Sequence, residues 1–127
     1  MILLKKLGIC YSAIIVPDGL PTKLCNREYL WQLIENIENS VNAELACESV
    51  FAIPEELSLE QNVKFIQEFI YESYKNKSMV ADVNIHNEHA NNPHVHIMSP
   101  LRLVTCDDKM KLFLVINFPN PLLANTY

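Results

Sequence analysis

The sequence predicts an α+β fold, one antiparallel sheet carrying two helices on one of its faces. Three observations predict it. Two segments repeat apolar residues at spacings of three and four, the period of an amphipathic helix. Several short runs are β-branched or alternate apolar with polar residues, the period of a strand. Their order is strand, helix, strand, helix, then two or three strands, an order that layers helices on a sheet. With 127 residues, half apolar and a fifth charged, the chain suits one globular domain.

The first strand is expected over Tyr11–Val16, a β-branched run closed by the turn residues Pro17, Asp18 and Gly19. Asn26 then offers an N-cap, with Glu28 in the first turn where the helix dipole favours an acid. Leu30, Leu33, Ile34, Ile37, Val41 and Leu45 extend that helix over about five turns. A second strand is expected over Glu48–Ile53, stopped by Pro54. Ser58 and Gln61 form a capping-box pattern before a second helix marked by Val63, Phe65, Ile66, Phe69, Ile70 and Tyr74. Met79–His86 alternates and predicts a half-buried strand; Asn87–Asn92 is a polar turn. Pro93–Leu103 is its hairpin partner, bent or ended by Pro100, and Lys111–Phe118 is a final strand.

Composition excludes several classes. Two glycines leave no glycine-rich phosphate cradle, and no apolar run reaches the roughly 18–20 residues of a membrane span. Met1–Val16 is interrupted by Gly8 and Tyr11 and lacks a small-residue cleavage site before Pro17, so no signal peptide is expected. A net charge of −5, with only Lys5/Lys6 and Lys75/Lys77 paired, weighs against nucleic acid on charge alone. The four cysteines have no CxxC spacing and are expected as reduced, mostly buried thiols of a soluble cytoplasmic protein.

All four histidines fall between His86 and His96. In a strand, residues i and i+2 share a face, so His94 and His96 stand side by side, and the hairpin turn can bring His86 beside them. Three imidazoles converging from two strands form half of a metal shell, with the remaining positions open to water or substrate. The same pattern also fits surface histidines of a hairpin. His89 falls in the turn and is expected to be a solvated side chain.

These residues carry a resemblance. Met79–His86, a short loop and Asn92–Met98, followed by Arg102, are similar to the histidine motif of the MobA/MobL relaxases, the HUH-type, tyrosine-dependent DNA-nicking enzymes of plasmid mobilisation and conjugation. Asn26–Trp31 resembles that family's helix start, Ala46–Pro54 its second-strand motif, and Glu55–Ser58 the segment that follows. The resemblance spans 11–102, a partial relaxase domain, and leaves 103–127 as a divergent C-terminal tail. It implies a divalent metal, Mg²⁺ or Mn²⁺, on His86, His94 and His96. Imidazole by itself also suits Zn, Ni or Co. The substrate implied is single-stranded DNA at an origin of transfer, with Arg102 as a DNA-binding residue. The reaction implied is attack of a tyrosine hydroxyl on the scissile phosphate, leaving a 5′-phosphotyrosine and a free 3′-hydroxyl. Glu48 matches a family acid that orients a ligand histidine, or else is a solvated strand carboxylate. Asp82 matches a recurrent family aspartate, although strand alternation puts it on the wet face.

The sequence also departs from that family. The helical segment bearing the nucleophilic tyrosine and the first strand of the relaxase sheet have no counterpart, and Val50 replaces the second glutamate of the second-strand motif. Tyr11 aligns with a strand, and Tyr29, Tyr71 and Tyr74 with packing positions on the helices, so no catalytic tyrosine is identified. The expectation is a relaxase module inactive by itself, with another chain supplying the first strand and tyrosine. The alternatives are a non-catalytic remnant that binds metal or DNA, or an unrelated small metal-binding hydrolase.

Overall fold

The computed structural model describes residues 9–38, 46–87 and 92–119, the side chains of 113–119 excepted. Six strands and two helices follow in the order β1 (Ile9–Ile15), α1 (Arg27–Ile37), β2 (Ala46–Ala52), α2 (Leu59–Ser73), β3 (Ala81–His86), β4 (His94–Pro100), β5 (Arg102–Cys106) and β6 (Leu112–Pro119). Four strands form one antiparallel sheet in the order β1-β3-β4-β2, and β5 pairs with β6 as a separate ribbon.

Local chemistry sets the boundaries. The Pro17–Gly19 turn closes with the Leu20 amide on the Pro17 carbonyl, and Gly19 has φ +91°, a conformation that side chains resist. Asn26 caps α1 by accepting from the Tyr29 amide at 2.9 Å. Ser58 and Gln61 complete the capping box of α2, worth about 1 kcal/mol. Helix α1 stops at Ile37, because Glu38 leaves helical geometry. It is therefore shorter than the five turns expected, and Val41 and Leu45 lie outside the described residues. The weak helix formers Asn39 and Ser40 follow in sequence.

The two helices do not share a face. Side chains alternate across a strand, and the register puts Ala81, Val83, Ile85, Val95 and Ile97 on one side, under Ile66 and Ile70 of α2. The opposite side faces α1, whose Leu30, Trp31 and Ile34 are buried with Val80, Val104 and Leu112. The expected one-sided arrangement is thus corrected to a sheet with a helix on each face. The reason is the central position of β3: between two neighbours and under both helices, it is buried at every residue from Ala81 to Ile85 rather than half-buried. Each fully buried leucine or isoleucine on these faces contributes about 1.5–3 kcal/mol.

Two further expectations change. Pro100 does end β4, but the chain resumes at Arg102 as β5 in a second ribbon, which adds Val104 and Leu112 to the α1 core. The four cysteines are free as expected but not buried: Cys10 and Cys25 are exposed, and Cys47 and Cys106 are intermediate.

Tyr74 closes the α2 core at 4% exposure. Burial raises its phenol above the usual 10.0, a shift partly offset by its hydrogen bond with Ser49 and aided by Cys47. Because the folded value is the higher one, the stability contributed by the neutral phenol is complete below pH 10 and is lost as pH rises through the folded value. Tyr74→Phe should flatten that alkaline limb in urea titrations between pH 9 and about 11. Identical alkaline limbs in both proteins would contradict the assignment.

Candidate metal centre

The face of the sheet toward α1 carries the polar residues in three rows. Nearest α1 run Ile14, Asp82, Met98 and Glu48; next come Ser12, Asn84, His96 and Val50; at the strand ends lie Ile9, His86, His94 and Ala52. All three candidate ligands therefore share one face and two adjacent rows, as their spacing implies.

The rings differ in how they are held. His86 and His96 lie diagonally across β3 and β4 with ring centroids 4.2 Å apart at 54°. The Nδ1 of His96 lies 3.2 Å from Glu48 Oε1, which reaches it from the edge strand β2 past Val50. His94 has its Nδ1 2.9 Å from the Asn92 carbonyl oxygen. A carboxylate and a carbonyl only accept, so both Nδ1 atoms carry the proton, and in the neutral form of each ring Nε2 is the lone-pair nitrogen. Among the described residues, no group of three or more His, Cys, Asp or Glu stands close enough to hold a metal ion as it is. The donor chemistry fits one: neutral imidazoles oriented through Nδ1 are how ligand histidines are prepared. Glu48 is half exposed, at 53%, so it is both solvated and in contact with His96. His89 lies outside the described residues.

Asp82 is corrected from the wet face to the buried interior, at 1% exposure. Arg27 Nε donates to both carboxylate oxygens at 3.0 and 2.9 Å, with Nη2 2.9 Å from Oδ1. Trp31 Nε1 donates to Oδ2 at 2.8 Å, and Asn84 Nδ2 to Oδ1 at 3.0 Å. The network anchors α1 against β3 beside the histidine rows. Arg27 and Trp31 belong to the helix-start motif and Asn84 to the histidine motif, but nothing in the sequence assigns them to Asp82. Arg27 and Trp31 sit at i and i+4, on one helix face, a spacing that lets both reach the acid of the alternating strand Ala81–His86.

Arg102 lies beyond the other end of β4 from His94. Its guanidinium pairs with Glu38 at 2.9 Å, just past the C-terminus of α1. Three tyrosines lie on the side of the sheet away from the histidines. Tyr11 packs on the α2 face and its hydroxyl accepts from Gln67 Nε2, Tyr74 is in that same core, and Tyr71 is exposed on α2 under Lys75. Tyr29 rides on α1 with Lys23 over its ring. Tyr127 lies outside the described residues.

Known proteins are similar to this chain in sequence, and one solved structure in fold. The chain is 31% identical over 113 residues to the conjugal transfer protein TraA of Agrobacterium fabrum, covering 81% of this chain and 10% of that one. It is 29% identical over 85 residues to a probable mobilization protein MobA of Bifidobacterium longum, covering 66% of this chain and 15% of that protein. A solved structure reported as "Molecular Basis of Vancomycin Resistance Transfer in Staphylococcus aureus" superposes with a TM-score of 0.74 at 31% identity, over 84% of this chain and 53% of the other. The chain thus spans about a tenth of the TraA protein it matches and half of the solved chain. The model of the MobA/MobL family matches residues 3–114. The chain belongs to the MobA/MobL family, the conjugative relaxase family its motifs resemble. Among the described residues no helix is long and apolar enough to cross a membrane.

Proposed function

We propose that this chain is the metal-holding part of a relaxase that acts on single-stranded DNA at an origin of transfer. His86, His94 and His96 hold Mg²⁺ or Mn²⁺ in this reading, and Glu48 orients His96. The observation that carries it is the matched state of His94 and His96, each with Nδ1 committed to an oxygen, which leaves the Nε2 lone pair of the neutral ring for a metal. A divalent cation bound there supplies Lewis-acid stabilisation of charge at the scissile phosphate. The protein's own contribution is positional: β3 and β4 fix the ring spacing, and the Asp82 network holds α1 against the same face.

Nicking needs a nucleophile. Tyr11, Tyr71 and Tyr74 belong to the α2 side of the sheet and Tyr29 is covered by Lys23 on α1; in this reading another chain brings the attacking hydroxyl. Arg102 contacts a DNA phosphate only by exchanging its Glu38 partner, which its 42% exposure permits. The net charge of −5 makes DNA binding dependent on the cation, which reverses the local sign at the histidine face.

The test is retention of a labelled single-stranded oligonucleotide on native gels with and without Mn²⁺, followed by denaturing gels. Binding should require Mn²⁺, and no covalent band should survive denaturation. Binding indifferent to Mn²⁺ would contradict the metal assignment; a protein-linked DNA band would show that one of these tyrosines is the nucleophile.

A further inference from the structure

Asn84 stands in the middle of the histidine face. In register it lies directly opposite His96 on β4, and it precedes His86 by two residues on the same side of β3. Residues paired in this way hold their Cβ atoms about 4.5–5.5 Å apart. The His86 and His96 rings are themselves 4.2 Å apart, so one asparagine adjoins both.

Only half of its amide is used. Asn84 is 6% exposed, and Nδ2 donates to Asp82 Oδ1 at 3.0 Å. Its Oδ1 is buried with no hydrogen-bond partner among the described residues. The orientation is fixed from below: Asp82 is held by Arg27 and Trp31, and a flipped amide would set the Asn84 oxygen against a carboxylate that only accepts. The oxygen and nitrogen of a planar amide diverge from one carbon, so pinning Nδ2 on Asp82 turns Oδ1 away from the Asp82 row. The next row along β3 is that of His86. Ser12, opposite Asn84 on β1, does not bond to that oxygen.

A buried carbonyl oxygen without a donor is rare and calls for one from outside the chain. The histidine face supplies the place for it. Asparagine is shorter than histidine, so a cation held on Nε2 atoms stands farther from the sheet than Oδ1, and a water carried by the cation spans the difference. Mg²⁺ dehydrates reluctantly and keeps several waters, whereas Zn²⁺ on three protein ligands has a single open position.

We infer that Asn84 is a positioning residue of the metal centre: its Oδ1 accepts a hydrogen bond from a water carried by the cation, which favours hydrated Mg²⁺ or Mn²⁺ over Zn²⁺. The inference rests on the metal reading above and adds metal selectivity to it.

Isothermal titration calorimetry of the full chain with Mn²⁺ and, separately, with Zn²⁺ tests it. Asn84→Ala should weaken Mn²⁺ binding by about 10–100-fold and Zn²⁺ binding by no more than about twofold. Asn84→Asp keeps an oxygen acceptor at that place and should retain Mn²⁺ binding. Both variants lose the bond to Asp82, so both should show a lower urea midpoint. A residue that only supports the fold would therefore weaken both metals in both variants, and that result overturns the inference. Loss of Mn²⁺ binding in Asn84→Asp overturns it even where Asn84→Ala does not fold. Unchanged Mn²⁺ affinity in a folded Asn84→Ala also overturns it and leaves the histidine centre standing. A wild-type chain that does not bind Mn²⁺ overturns the metal reading and this inference together.

Discussion

Asp82→Ala should lower the free energy of unfolding by about 3–5 kcal/mol, read as a fall in the urea midpoint at unchanged slope. The carboxylate is buried at 1% exposure and answers four donor groups, from Arg27, Trp31 and Asn84. Removing it strands the Arg27 guanidinium, which is itself only 17% exposed, and leaves an indole N–H without an acceptor. Against a total of roughly 5–15 kcal/mol, that loss is enough to populate the unfolded state. The paired variant Arg27→Met with Asp82→Leu should recover part of it, because an unpaired buried charge is worse than none. A change below about 1 kcal/mol in Asp82→Ala would mean that the ion pair is solvated and that α1 is anchored by its apolar face alone.

His94→Ala and His96→Ala should each abolish the rise in melting temperature that Mn²⁺ gives the wild type. A ligand at one hundred times its Kd adds about 2.7 kcal/mol to the folded state, a shift of several degrees for a domain of this size. His89→Ala should keep the full rise, since the turn residue is not a ligand in this account. Glu48→Gln separates orientation from ligation. It keeps an oxygen that accepts from His96 Nδ1 but removes the charge, so the Mn²⁺ response should shrink without vanishing. A rise equal to the wild type's in all four variants would remove the histidines from the site.

The strands and helices were legible because their signals are local. Ser58 and Gln61 cap α2 as their spacing indicates, and the alternation of Met79–His86 marks β3. What was not legible is tertiary. Whether a strand is half-buried or fully buried depends on what covers its second face, and no spacing within Met79–His86 says that α1 returns to cover Asp82. The same gap placed both helices on one face of the sheet. Phe65 and Phe69 fit the apolar period of α2 yet remain 52% and 38% exposed, because only one stripe of the helix meets the sheet. The cysteines were misplaced for a related reason: Cys10 falls at the bulge of edge strand β1, where a short apolar side chain has no layer above it.

For the candidate site the sequence supplied the shared face of His86, His94 and His96, which the β3–β4 register reproduces. It could not supply the ring contacts. That Glu48 reaches His96 diagonally past Val50, and that His94 turns its Nδ1 to Asn92, depend on rotamers and on which strand neighbours which.

The most direct measurement is Mn²⁺-induced line broadening of the four histidine ring signals in the proton NMR spectrum of the full chain. The unpaired electrons of Mn²⁺ broaden nuclei steeply with proximity, so the ligand rings declare themselves. His86, His94 and His96 should broaden together at substoichiometric Mn²⁺ while His89 stays sharper. Broadening led by His89, or equal and gradual for all four rings, would contradict a metal held on the shared face of β3 and β4.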